Sequence, residues 1–350
     1  MNLKALFTCL FITTSILTLS QTPITTLDSI LNTIQKDYPE ISVSISILNK
    51  ENVHHYNIGT LSRKDTLQVN EHTLFEIASI TKCVTGNLIA QAINEQKLKA
   101  SDYIDLYLPE GLKLNKHLKN KITIADLASH QSGLPDIDFP ALIAANPQQP
   151  VNGISKQTII DLLYSTTELK DHGKYRYSTV SFILLGQILE FIYNTPYDLI
   201  LQEKIIEPLQ LERTLTKKFK VKNTATGYNP KGGEQELFNW NITAPAGLIK
   251  STSNDMVLYI KAILSSNNSI GLAATKTEQV FYKDSNIDIG LGINIINDSG
   301  TTFYAKTGDT MGQSSILAYC RTKKWGIIIL INERNSKLRN GIFNAIYESL

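Results

Sequence analysis

Cysteine is scarce in this chain, with three residues in 350, at positions 9, 83 and 320. So few thiols form no disulfide framework, and neither Cys-x-x-Cys nor His-Glu-x-x-His occurs, so no metal and no cofactor is expected. An excess of either charge is missing too: 34 lysines and arginines face 32 aspartates and glutamates, with no basic block. Nucleic acid therefore has no electrostatic footprint here. The six histidines are scattered. His54 and His55 read as exposed positions of a strand, and His130 as a residue that fixes the backbone of a turn. Long hydrophobic runs are confined to the start. Ala5 to Leu19 pass almost without charge into Ser20-Gln21-Thr22-Pro23, the pattern of a secretory signal peptide over 1–20. The run is short for a membrane span, which needs about 20 apolar residues. Cys9 lies too early for a lipoprotein cleavage site. The expectation is a secreted or periplasmic monomer with no stable membrane span after cleavage. Cys83 then reads as a small buried apolar side chain, and a Cys83–Cys320 bridge is not expected.

What is present is a sheet and a set of apolar helices. Ile41 to Ile47 alternates as a half-buried strand does, after a helix over Thr26 to Gln35. Thr301 to Gly308, Ser314 to Cys320 and Trp325 to Asn332 read as strands, the last two joined by a turn at Arg321–Lys324, and Asn335 to Leu350 reads as a closing helix. Residues 76 to 210 read as mostly helical, with apolar helices following Lys82 and Thr179. The stretch 136–152, with three prolines, and the polar stretch 223–236 read as irregular. About 330 mature residues exceed one comfortable core. The expected class is α+β: an antiparallel sheet flanked by helices, built from 21–75 and 240–350, with an inserted, mostly helical lobe over 76–239.

Chemistry enters with Ser79-Ile80-Thr81-Lys82, the single Ser-x-x-Lys of the chain. At i and i+3 of a first helical turn the two side chains share a face. A serine needs a neighbouring base, and lysine serves once burial or nearby positive charge has lowered its pKa. By itself the tetrad is common in chains of this length. Two further segments follow it, Tyr177-Ser178-Thr179 ahead of an apolar helix and Lys306-Thr307-Gly308 at the end of a strand.

In this order the three motifs resemble those of the serine β-lactamase and penicillin-binding-protein superfamily, in the branch of class C β-lactamases, D-Ala-D-Ala carboxypeptidases and related esterases. His130-Gln-Ser-Gly133-Leu-Pro135, Pro245-Ala-Gly247-Leu248 with Asp255-Met256, and Gly290-Leu-Gly292 extend the resemblance over most of the chain. It implies a β-lactamase/transpeptidase-like fold with Ser79 as nucleophile and Lys82 with Tyr177 as its base. Further implied are an oxyanion hole from the Ser79 and Asp309 N–H groups, and a substrate carboxylate held by Lys306 and Thr307. Gly308 would keep the strand accessible. Tyr177 would need the field of Lys82 and Lys306 to act near neutrality. Thr179 stands where the family has asparagine, with a shorter reach and no amide. Asp309 would repel an anion if it pointed inward. The implied activity is hydrolysis of a β-lactam or a D-Ala-terminated peptide, a small-molecule or peptide substrate bearing a carboxylate. A carboxylesterase of the same fold, and a non-turnover penicillin-binding sensor or degenerate homologue, stand as the alternatives.

Overall fold

β-Branched and aromatic segments from both halves of the chain pair into one sheet in the computed structural model, which describes residues 23–350. The expected signal segment, 1–20, and Cys9 lie outside the described residues. Helix α1 (Pro23–Asp37) precedes the hairpin of β1 (Val43–Asn49) and β2 (Asn52–Ile58). A short β3 (Phe75–Glu76) leads through a 3-10 turn at Ala78–Ile80 into α2 (Thr81–Asn94). Next come α3 (Ile124–Ala128), α4 (Phe139–Ala145), α5 (Lys156–Ser165) and α6 (Thr179–Tyr193). Helix α7 (Tyr197–Leu201) passes through a π turn into α8 (Glu207–Leu209). After β4 (Gly227–Tyr228) and β5 (Glu234–Gln235) follow α9 (Ala244–Gly247), β6 (Lys250–Ser251), α10 (Ser253–Leu264) and α11 (Ser269–Thr277). The chain closes with β7 (Tyr282–Lys283), β8 (Asp288–Ile289), β9 (Asn294–Asp298), β10 (Thr301–Asp309), β11 (Ser314–Cys320), β12 (Trp325–Ile331) and α12 (Ser336–Tyr347).

Eight of these strands form an antiparallel sheet in the order β2-β1-β12-β11-β10-β9-β8-β7. One face packs on α1 and α12 through Leu27, Ile34, Leu338 and Ile342. The other packs on the larger cluster that includes α2, α6 and α10. With helices on both faces, every residue of β11 and β12 is buried.

That burial corrects one expectation. The strand at Ile41 to Ile47 is not half-exposed, because Ser44 and Ser46 are as buried as Val43 and Ile45. Ser44 Oγ meets Ser253 Oγ of α10 at 2.8 Å and donates to Asn57 Oδ1, while Ser46 Oγ lies 2.7 Å from His55 Nδ1. The alternation separates two buried faces rather than core from water.

The irregular stretch expected at 136–152 instead contains α4. Asp138 Oδ1 accepts from Ala141 N at 3.1 Å, and Pro140 sits in the first turn, where its missing N–H is harmless. Likewise, 223–236 contains the β4–β5 hairpin, its turn tied by Asn229 Oδ1 accepting from Lys231 N and Gly233 N. Cys83 and Cys320 are free, buried thiols in the two clusters on opposite sides of the sheet.

Candidate active site

The turn that carries Ser79 is held by its neighbours more than by its own geometry. Ala78 adopts φ +48°, a left-handed conformation that costs a non-glycine residue roughly 1–2 kcal/mol. Strand β10 runs directly against this turn. A Cβ on Gly308 would lie 2.6 Å from Ile77 O and 2.8 Å from Ser79 N, so only glycine permits the approach. Ser315 Oγ also donates to Ile77 O at 2.9 Å. Helix α2 is pinned at its start by Gly292, φ +82°, where a Cβ would meet Lys82 O at 2.4 Å.

Ser79, Lys82 and Tyr177 converge. The Tyr177 hydroxyl donates to Ser79 Oγ at 2.7 Å. Lys82 Nζ lies 3.4 Å from the same oxygen and donates to Ala246 O at 2.6 Å. Burial lowers the Lys82 pKa to about 7, against an opposing pull from Asp136. Lys306 is buried as well, with Nζ 5.0 Å from the centre of the Tyr177 ring, and burial lowers its pKa too. Tyr177 departs from expectation. Burial of its hydroxyl end raises its pKa, outweighing the lowering by Lys306, although 43% of the whole residue remains exposed. The phenol is thus a protonated donor in the resting site, and Lys82, lowered to about 7, is the neighbour of Ser79 able to take up a proton near neutrality.

His130 occupies the supporting role expected of it. It has φ +64°, its Nδ1 accepts from Ser178 N at 3.2 Å, and its ring lies 4.5 Å from that of Tyr177. Burial, then Lys306 and Lys82, push its pKa well below the usual histidine range. A neutral imidazole with its proton on Nε2 satisfies these contacts.

Three contributors escaped the sequence. Asp136 accepts from Thr179 N, at 3.0 and 2.8 Å, and from Val180 N at 2.9 Å, fixing the start of α6 behind Tyr177. It lies 43 residues before Thr179, so no local spacing reveals it. The Ala246 carbonyl that receives Lys82 is main chain and carries no side-chain signal. Third, a buried pair stands behind the site wall. Glu76 Oε1 accepts from Phe238 N at 2.7 Å, and Lys250 Nζ donates to the carbonyls of Phe238 and Leu248, 3.9 Å from Glu76. Burial moves both toward neutrality, raising Glu76 and lowering Lys250 to about 8.

Beside Ser79 opens a small cavity of about 90 Å³. Phe139, Val151, Phe238 and Leu248 are the large apolar residues of its wall, with Thr179, Thr243, Asp309 and Thr310 as polar members. Thr179 is buried, but the partners of Lys82 are Ser79 Oγ and Ala246 O rather than its hydroxyl. Lys306 stands behind Tyr177, and the exposed Thr307 lies outside the cavity wall. The Asp309 carboxylate accepts from Arg339 Nη1 of α12, 2.9 Å to each oxygen, and from Ser314 Oγ at 2.5 Å.

Residues 27–347 match the sequence profile of the family described as Beta-lactamase. A β-lactamase of Providencia stuartii is 28% identical over 270 residues, 75% of this chain and 64% of that protein. The chain therefore spans just under two thirds of that relative. Among solved structures, a β-lactamase/D-alanine carboxypeptidase from Pseudomonas syringae superposes with a TM-score of 0.80 at 22% identity, covering 93% of this chain and 98% of the other. A class C β-lactamase superposes with a TM-score of 0.82 at 20% identity, over 94% and 96% of the two chains. Both share the antiparallel sheet flanked by helices.

Proposed function

Because this chain belongs to the β-lactamase family, we propose that it is a serine hydrolase that works through an acyl-enzyme on Ser79. The observation that carries this reading is the surrounding of Ser79 Oγ by a phenol donor at 2.7 Å and by a lysine of pKa about 7 at 3.4 Å. Neutral Lys82 takes the serine proton as Oγ bonds to the substrate carbonyl carbon. The Ser79 and Asp309 N–H groups receive the oxyanion, each donor worth about 3 kcal/mol. As the bond to the leaving group breaks, Tyr177 hands its proton to that group and is refilled from the Lys82 ammonium. Water then cleaves the acyl ester and restores the serine. A signal peptide at residues 1–20, removed on export, would direct the enzyme to the periplasm or the exterior.

Within this scheme β-lactamase, D-Ala-D-Ala carboxypeptidase and carboxylesterase share acylation and differ in what the cavity admits. The large apolar residues of the wall, and hydrogen bonds of Lys82 that go to Ser79 Oγ and Ala246 O rather than to Thr179, favour the ester reading beside the β-lactam one. Lys306, turned to Tyr177, supports the phenol, which leaves Thr307 as the proposed carboxylate contact. Intact-mass spectrometry after mixing with penicillin, and separately with a 4-nitrophenyl ester, tests the proposal. A covalent adduct on Ser79 from either reagent, transient or lasting, and absent in Ser79→Ala, is expected. Turnover retained by Ser79→Ala removes Ser79 as nucleophile.

A further inference from the structure

We infer that His130 is a positioning residue for Tyr177: its carbonyl oxygen and its ring nitrogen together aim the phenol, and so set how poor a leaving group the enzyme can expel. This rests on the acyl-enzyme reading above and adds the leaving-group class to it. His130 is fully buried and does not line the cavity beside Ser79. What it holds is the chain on both sides of the tyrosine. Arg176 N donates to His130 O at 2.7 Å, and Ser178 N donates to His130 Nδ1 at 3.2 Å. The imidazole also packs on the Tyr177 ring, with centres 4.5 Å apart, and on Phe182 of α6 at 5.1 Å. Lys170 N on Gly133 O and Gly173 N on Gln131 O, each 2.9 Å, continue the same seam.

Two features fit an acceptor kept for its placement rather than for packing. The residue sits at φ +64°, a conformation that glycine and asparagine adopt at less cost than most side chains. Its Nε2 is buried and finds no hydrogen-bond partner among the described residues, and a buried donor left unpaired is a cost. An apolar side chain of similar size would avoid that cost but could not accept from Ser178 N. The Tyr177 hydroxyl reaches Ser79 Oγ at 2.7 Å, so turning the backbone at 176–178 carries the phenol proton away from the reacting centre. That proton passes to the leaving oxygen as its bond to the acyl carbon breaks and the oxygen keeps the electron pair. A 4-nitrophenolate departs readily without the proton, whereas an alkoxide needs it.

Two esters with one acyl group test this, 4-nitrophenyl butanoate and ethyl butanoate, whose kcat/KM values both report acylation. The measured quantity is the ratio of the first to the second. His130→Gly, which accepts the backbone conformation but has no acceptor, is expected to raise that ratio by about tenfold or more, as is Tyr177→Phe. His130→Asn, whose Oδ1 takes the place of Nδ1, is expected to stay within about threefold of wild type. Tyr177→Phe combined with His130→Gly should match Tyr177→Phe alone within about twofold, since both act through one proton. If His130→Gly does not fold, His130→Gln, whose amide oxygen lies one bond further out, is held to the same outcome. The inference is overturned by a ratio that Tyr177→Phe raises and His130→Gly leaves unchanged, by full multiplication of the two effects, or by His130→Asn as impaired as His130→Gly. An unchanged ratio in Tyr177→Phe removes the phenol from leaving-group protonation, and the inference with it. Equal rates in wild type and Ser79→Ala for both esters would instead remove the acyl-enzyme reading itself.

Discussion

The proposed role of Lys82 as a base rests on what encloses it, and the tetrad spacing supplies only proximity. An exposed lysine titrates near 10.4, whereas burial lowers this one to about 7. The sign follows directly: below about 7 Lys82 carries a proton and cannot accept another. The kcat/KM for a neutral ester should therefore fall about tenfold per pH unit under that value and level off above it. A profile flat from pH 5.5 to 8 would remove Lys82 as the base. Tyr177→Phe deletes the donor on Ser79 Oγ and should lower acylation by roughly 10² or more, read from single-turnover kinetics; wild-type rates there would exclude the phenol from the proton path. The sequence named Ser79, Lys82, Tyr177 and Lys306 correctly as neighbours, because motif order carries that information. The direction of the tyrosine shift was not legible, since it depends on whether burial or the Lys306 field prevails at the hydroxyl.

Elements reach the site through two backbone approaches and one buried pair. Gly308→Ala should push β10 from the Ser79 turn, where the added carbon would meet Ile77 O at 2.6 Å. A displacement near 1 Å at a reacting centre costs about 10²-fold, so acylation should drop by that order, and an unchanged rate would show that the turn gives way freely. Behind the cavity, Lys250→Met leaves Glu76 buried without its cation and should destabilise by about 3–5 kcal/mol, while Glu76→Gln with Lys250→Met should recover most of that. Urea unfolding of the two variants beside the wild type checks both. Strands β10, β11 and β12 were legible because β-branched runs and a charged turn mark them locally. Helix α4 was not, since prolines that break most helices are harmless in the first turn behind an aspartate cap. Nor was the Glu76–Lys250 pair, whose members are 174 positions apart in the chain.

For the molecule as a whole, the sheet divides two buried clusters, and we keep the separation into a sheet unit (21–75 and 240–350) and a helical unit (76–239) as a proposal. Cys83 reports on one cluster and Cys320 on the other. If β11 and β12, which contribute residues to both, unfold as a piece, both thiols should become reactive to alkylating reagent at the same urea concentration and stay protected below it. Peptide mapping after pulsed labelling reads this, and separate midpoints would show that the two faces come apart independently. The overall class, with helices flanking the sheet, was legible from strands at both ends of the chain; the burial of both faces of β1 was not, because serines at alternate positions look solvent-facing to any periodicity argument. Those serines carry a consequence of their own. A purely greasy interface between α10 and β1 would tolerate sliding, since one methyl group substitutes for another. Ser44 facing Ser253 at 2.8 Å acts as a latch: a helix shifted by one residue would break this contact inside a dry interior and leave Ser44 its bond to Asn57 Oδ1, so the polar contact favours one docking position among several that oil alone would accept.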